Sequence, residues 1–371
     1  MNRFFFTVVA FAAIAPAVAV AERLNASNWL PPSHELAVHP YTEWIPQIKD
    51  GTGGRIDFVH HVSGSLIPAR ATMQGVRDGV AAVGVVYPPY TPAEFPLSNV
   101  INDLAFSAQD DLAGVLAWTE VSLRHPKLQA EWKRNGGVFG GGYSTPTYEL
   151  ICAKPVTDTA SAKGLKFRAA AGAHTEWVRD IQGVAVSVPI GDVYTGLERG
   201  SIDCAIADLG NLDSMKLTEV SKSVTLVRMG GTLGASWVYN IPFWRKASPA
   251  DRRVMLDQMA FAIARTQVNW VANADKALAA ARAKGVRVIQ PAADLKEGLS
   301  RFSQKFVAEL PKVSMERRKV ADPSDLITAY LESYKRWGGL LQSVNRKDEK
   351  ALGQLIKSEI YDKLDVNTYG L

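Results

Sequence analysis

Apolar and polar positions along this chain follow two rhythms, and the switches between them outline two strand–helix–strand passages. Leu24–Trp29 reads as a short strand, Pro31-Pro32 as a turn, and His34–Lys49 repeats with helical spacing until Asp50-Gly51. Arg55–Val62 alternates as a strand and ends at Ser63-Gly64. Ala69–Asp78 is helical and stops at Gly79, and Val80–Val86 is an apolar run that meets Tyr87-Pro88-Pro89-Tyr90. The pattern returns as a strand over Leu165–Arg168, a helix over Ala173–Gln182 stopped by Gly183, and a strand over Val184–Val188. A helix over Asp192–Arg199, stopped by Gly200, and a strand over Ile202–Ile206 complete it. Strand–helix–strand units of this length imply mainly parallel sheets covered by helices, and two such sheets imply two α/β lobes.

A longer helical pattern begins at Ser248, a good N-cap, with Pro249 suited to the first helical position. Neither Gly nor Pro interrupts it before Gly285, so it extends for roughly 54 Å, beyond the ~30 Å of a small domain. Its apolar positions, among them Val254, Met255, Met259, Ile263 and Val268, keep no strict heptad, so a helix bridging the lobes is expected rather than a coiled coil. Beyond residue 310, Pro323–Lys335 and Glu349–Asp362 read as amphipathic helices that cap the second lobe or exchange with another subunit. At the other end, Arg3, the apolar stretch Phe4–Val18 and Ala19-Val20-Ala21 form the pattern of a cleaved export signal. The expected organisation is a signal at 1–21 and a first lobe at 22–145 to which 234–273 return. A second lobe at 146–233, to which 274–310 return, and a helical extension at 311–371 complete it.

Composition changes this picture little: 47% hydrophobic and 21% charged residues are ordinary for a globular protein. The formal charge of +5 is scattered, with Arg317-Arg318-Lys319 as its densest cluster, which argues against nucleic acid as a partner and favours attraction of small anions. Cys152 and Cys204, the only two cysteines, lie in apolar strand-like runs, where a disulfide and two buried thiols are both open readings. Enzyme signatures fail. His60-His61 sit in a strand whose alternation points them to opposite faces, there is no HExxH or Gly-x-Ser-x-Gly, and the Gly136–Gly142 cluster fits no phosphate loop. No catalysis is expected.

Several blocks carry a family resemblance: Trp29-Leu30-Pro31-Pro32-Ser33-His34, Thr52-Gly53-Gly54-Arg55-Ile56, Gly64-Ser65-Leu66, Val76–Val83 and Phe95-Pro96-Leu97. More specific are Lys163-Gly164-Leu165-Lys166-Phe167-Arg168, Val193-Tyr194-Thr195-Gly196-Leu197 and Gly200-Ser201-Ile202-Asp203. In order and spacing the chain resembles the DctP-type solute-binding subunits of tripartite ATP-independent periplasmic (TRAP) transporters. The resemblance implies a two-lobed periplasmic binding-protein fold of the type II-like kind. It implies periplasmic capture of a small organic-acid anion and delivery to TRAP membrane permease subunits, by a monomer or a dimer. A binding protein serving a sensor or an ABC-type importer is the alternative.

By that resemblance Arg168 is the carboxylate anchor, and its place at a strand end and its planar fork agree. Where many members carry a second arginine the chain has Tyr148, and where many have Glu-Asn it has Ala207-Asp208. Asp208 near an anion calls for a donor on the ligand or for a bridging cation; otherwise no cofactor is expected. Trp29, Tyr87, Tyr90, Tyr148 and Trp237 fall where a cleft would lie, Arg70 is a candidate second cation, and Asn240 a candidate contact to ligand or hinge backbone.

Overall fold

The computed structural model describes residues 23–371, so the expected signal at 1–21 lies outside the described residues. The first passage supplies β1 (Arg23–Ser27), β2 (Asp57–His61) and β3 (Val83–Val86), and β4 (Gly137–Ser144) follows four helices later. The second supplies β5 (Glu149–Cys152), β6 (Lys166–Arg168), β7 (Val184–Val186), β8 (Cys204–Ala207) and β9 (Ser223–Thr225). The chain then adds β10 (Leu233–Asn240) and β11 (Arg287–Ile289). They pair into two sheets, ordered β2-β1-β3-β10-β4 and β11-β9-β5-β8-β6-β7.

Each sheet is parallel except around one strand. β10 runs antiparallel to β3 and β4, and β5 antiparallel to β8 and β9. These are the strands reached directly after the chain crosses between sheets, at 145–148 and at 226–232. The two crossing segments bond to each other, Thr145 N to Thr232 O at 2.9 Å and Tyr148 N to Gly230 O at 2.7 Å. Gly230 has φ +65°, and a Cβ there would lie 2.4 Å from the Phe106 carbonyl, so no other residue fits this passage.

The third connection is the expected long helix, Pro249–Ala283, 35 residues capped by Ser248, whose side chain accepts from Asp251 N. Asp251 also holds Arg55 of the first lobe at 2.7 Å, while further along the helix the Trp270 indole reaches Asp208 of the second. The helix expected over His34–Lys49 is broken instead: Glu35–Ala37 passes through a wide turn at Val38–Thr42 before Trp44–Gly51 resumes. Pro40, which has no N–H to donate, sits in that turn.

Beyond residue 318 the extension lies on the first lobe. Its boundary at 311 falls inside the helix Ala293–Arg318, which continues through Pro311. Helix Ser324–Leu340 packs on Asp111–Arg124 and helix Glu349–Glu359 on the long helix, both on the first lobe. The tail then reaches β4, Tyr361 and Tyr369 donating to the Gly140 and Phe139 carbonyls at 3.1 and 2.6 Å. The glycines of β4 provide the room: a Cβ on Gly141 would meet the Tyr361 hydroxyl at 2.7 Å. Among the described residues no helix is long and apolar enough to cross a membrane.

The lobes are drawn together at a second place by Asp103. From the first-lobe helix Pro96–Ala105 its carboxylate accepts from Ala173 N at 2.9 Å, at the start of second-lobe helix Gly172–Asp180, and it pairs with Arg318 at the end of helix Ala293–Arg318. Of the basic cluster at 317–319, Arg318 is thus drawn into the molecule, while the exposed Arg317 pairs with Glu176 at 2.8 Å. Gly172 leaves the gap this needs, because a Cβ there would lie 2.9 Å from the Asp103 carboxylate. Replacing Asp103 by Asn should therefore favour separated lobes, giving a larger radius of gyration by solution scattering. It should also weaken ligand binding roughly ten-fold, the usual scale of such coupling.

Cys152 and Cys204 face each other across β5 and β8, with Cα atoms 4.0 Å apart, and form a disulfide. The cross-link closes a loop of 52 residues, for which chain entropy predicts about 4 kcal/mol at most. A Cys152→Ala, Cys204→Ala double variant should lose about 2–4 kcal/mol in denaturant unfolding. Its ligand affinity should stay unchanged, since both sulfurs lie in the second-lobe core.

Candidate functional site

The carboxyl ends of parallel strands in both sheets converge on one interlobe cavity, the place where α/β folds hold ligands. From the first lobe, Trp29 follows β1, Tyr87 follows β3, and Tyr90 ends the short turn Pro88–Tyr90. From the second, Arg168 ends β6 and Asp208 follows β8, its parallel neighbour. Tyr148 and Thr232 come from the two crossing segments, Tyr143 from β4 and Trp270 from the long helix. The aromatic rings pack edge to face, Tyr87 on Tyr90 at 4.7 Å and Trp29 on Tyr90 at 5.5 Å. The cavity volume is about 30 Å³, so in this arrangement the walls are closed down almost to contact.

Arg168 is 1% exposed. Its Nε donates to Val188 O, Nη1 to Ile206 O and Nη2 to the Tyr90 hydroxyl, all at 3.1–3.2 Å, and among the described residues no carboxylate pairs with it. Tyr90 Oη also accepts from Ile190 N at 2.8 Å. With both acceptor positions filled, the Tyr90 O–H is left only to donate. Tyr148 Oη likewise accepts from Thr232 Oγ1 at 3.0 Å, which frees its proton outward. Burial raises both phenols above their ordinary range, with the Arg168 charge working against it, so they stay protonated donors. Around Arg168 the site therefore presents positive charge and hydrogens, and Asp208, the carboxylate in the same lining, bonds to Trp270, Gly210 and Asn211 instead.

The matrix of known families agrees with this geometry: residues 31–312 match the model for DctP, bacterial extracellular solute-binding protein, family 7. The chain belongs to the DctP family. A curated relative from Albidiferax ferrireducens, described as a solute-binding protein, is 24% identical over 224 residues, 57% of this chain and 62% of that relative's length. Among solved structures, a TRAP solute-binding protein from Rhodoferax ferrireducens in complex with copurified benzoate has a TM-score of 0.76. It is 18% identical and is covered in full by 86% of this chain. An extracytoplasmic solute receptor from Bordetella pertussis binding pyroglutamic acid has a TM-score of 0.73 at 20% identity, covering 85% of this chain and 100% of its own. A TRAP periplasmic solute-binding protein from Desulfovibrio salexigens with bound orotic acid has a TM-score of 0.75 at 18% identity, over 85% and 99% of the two chains.

Not every residue singled out in the sequence reaches the cavity of this DctP-family protein. Arg70 stands outside it and ties the lobes, donating to Tyr90 O at 2.7 Å and across to Ser187 O at 3.1 Å. Trp237 is in the first-lobe core, its indole on Pro40 O at 2.9 Å. Asn240 holds Val76 O at 2.7 Å and caps the helix Ile241–Lys246. In their place stand His34, Tyr143, Asn211, Thr232 and Trp270, which the sequence reading missed. Only Asn211, just past the β8 end, carried a signal by position; the others sit in a turn, a strand, a crossing and a helix. His34 is pushed down to about 4 by burial and is neutral, its Nδ1 accepting from Leu36 N.

Asp208 is not a free anion facing the ligand. Its Oδ1 accepts from the Trp270 indole and from Gly210 N, both at 3.0 Å, and its Oδ2 from the Asn211 side chain. A bridging cation does not fit this donor set. Asp208 is the one carboxylate lining the cavity among the described residues, three of its four acceptor positions are taken by the protein, and no trio of metal-ligating side chains gathers there. Burial pushes Asp208 up to about 6, against the three hydrogen bonds that favour its charge. The folded value lies above the ordinary one near 3.9, so its contribution to stability is full in acid and is lost as the pH rises through about 6. Denaturant unfolding of the wild type and Asp208→Asn between pH 4 and 8 checks this. The difference between the two proteins should change across roughly pH 4–6 and be flat above about 7.

Proposed function

We propose that this protein is a periplasmic solute receptor that captures a small organic carboxylate between its lobes and passes it to the membrane subunits of a TRAP transporter. The observation that carries the reading is the buried Arg168 guanidinium without a paired carboxylate, beside the Tyr90 hydroxyl, which is left only to donate, and the Tyr148 hydroxyl, whose proton is free. A carboxylate accepts through both oxygens and carries the missing charge, so it satisfies the guanidinium fork and the hydroxyls together. The acids bound in the related structures, benzoate, pyroglutamic acid and orotic acid, share that one group. Export by cleavage after Ala21 would place the protein where such receptors work.

A cavity this small admits a ligand only when the lobes separate. Tyr90, Arg70 and Asp103 are where they part, since each bonds across from the first lobe to the second. Binding then proceeds by closure: the acid meets Arg168 on the open second lobe, and the first-lobe aromatics close over it. Expelling water strengthens the charge pair.

Calorimetry with a panel of organic acids tests the reading. Arg168→Ala should weaken the best binder by about 3–5 kcal/mol, because a desolvated carboxylate is left unpaired. Arg168→Lys should lose less, keeping charge without the fork. An unchanged dissociation constant in both variants would overturn the assignment.

A further inference from the structure

The acceptor side of the cavity narrows the ligand further. Asn211 donates through Nδ2 to both the carbonyl and the carboxylate of Asp208. Two acceptors on one side of the amide fix its orientation, so the other atom is the carbonyl oxygen and not the NH₂. That Oδ1 is buried and has no hydrogen-bond partner. The Asp208 carboxylate beside it has no proton to supply, and three of its four acceptor positions are already taken by the protein. The Tyr87 hydroxyl, on the first-lobe wall of the same cavity, is likewise buried and without a partner. Buried orphan groups cost about 1–3 kcal/mol each, so two in one ligand cavity point to what the ligand brings.

We propose that the ligand is a carboxylate carrying its own hydrogen-bond donor, a hydroxyl or an N–H, which fills Asn211 Oδ1. A hydroxyl does the most, because it donates to Asn211 while accepting from the Tyr87 O–H. The site is then bipolar. Arg168, Tyr90 and Tyr148 offer donors to the carboxylate, and Asn211 offers an acceptor to the second group. Plain carboxylates leave Asn211 Oδ1 dry and unpaired on closure, which a polar site penalises more heavily than an apolar pocket penalises a missing methylene. This inference rests on the carboxylate reading above and adds a second recognition element to it.

Matched pairs of acids that differ only in the donor provide the test: lactate with propionate, mandelate with phenylacetate, 3-hydroxybenzoate with benzoate, pyroglutamate with 3-oxocyclopentanecarboxylate. Calorimetry on the mature chain, refolded to remove copurified ligand, should give the donor-bearing member of the best-binding pair a roughly 10- to 100-fold lower dissociation constant. Asn211→Leu should bring that ratio close to one; because it also removes the amide that holds Asp208, the ratio within a pair, and not the absolute affinity, is the readout. Tyr87→Phe, which removes a hydroxyl whose one polar neighbour in the protein is the Thr232 side chain, should leave folding intact and weaken hydroxy acids several-fold more than their deoxy partners. Equal binding within every pair overturns the donor requirement and leaves carboxylate capture standing. If no acid binds and the Arg168 variants are silent, the carboxylate reading fails and this inference goes with it.

Discussion

A guanidinium held in a closed, nearly dry cavity without a counter-ion is the constraint on which the rest of this structure depends. Taking such a charge out of water costs several kcal/mol, and hydrogen bonds to neutral oxygens recover only part of it. The protein offers three such bonds, two of them to the carbonyls of Val188 and Ile206. These bonds aim the fork without neutralising it. That distinction matters for function. A protein carboxylate in the same place would stabilise the empty fold and compete with any ligand anion, whereas carbonyls fix the geometry and leave the charge unmet.

The same logic explains why the closing lobe brings tyrosines. Tyr90 crosses the interface to accept from Arg168 and from Ile190 N, so lobe closure and ligand recognition share one hydroxyl. Asp103 repeats the device away from the ligand, since a first-lobe carboxylate closes on second-lobe helix donors and on Arg318. Burial raises its carboxyl above the ordinary range while Arg318 opposes that. Both contacts exist only in the closed arrangement. The free energy difference between open and closed is therefore divided between the ligand and the protein's own polar contacts.

Much of this was legible in sequence because periodicity and punctuation are local. Gly79, Gly200 and Gly285, all with positive φ, end helices where a glycine stop was expected, and Ser248-Pro249 begins the long one. Arg168 and the tyrosines after β3 could be placed because strand ends are where such folds bind ligands. What was hidden depends on pairing across the chain. Nothing in the neighbourhood of Trp270 says that its indole will reach Asp208, since the two lie 62 positions apart, with the whole second crossing between them. Trp237 looked like a strand-end aromatic but lies mid-strand in β10, which is buried on both faces. The tail's destination was equally invisible, because amphipathic helices announce that they have an apolar face but not which surface will cover it.

That destination has a mechanical consequence. Packed on the long helix and β4, the tail thickens the first lobe, and the Tyr361 and Tyr369 hydroxyls tie it to the edge strand of the first-lobe sheet. The second lobe is cross-linked at its own centre by Cys152–Cys204. With each sheet reinforced internally, bending between the lobes is left to the crossing segments at 145–148 and 226–232, where Arg228 and Gly230 already hold positive φ. Tyr148 and Thr232 lie in those segments and line the cavity, hydrogen-bonded to each other. Rotation about the hinge must therefore move groups that also contact the ligand. A bound acid that holds both the Tyr148 hydroxyl and Arg168 would fix the hinge angle directly, rather than only through the faces it brings together.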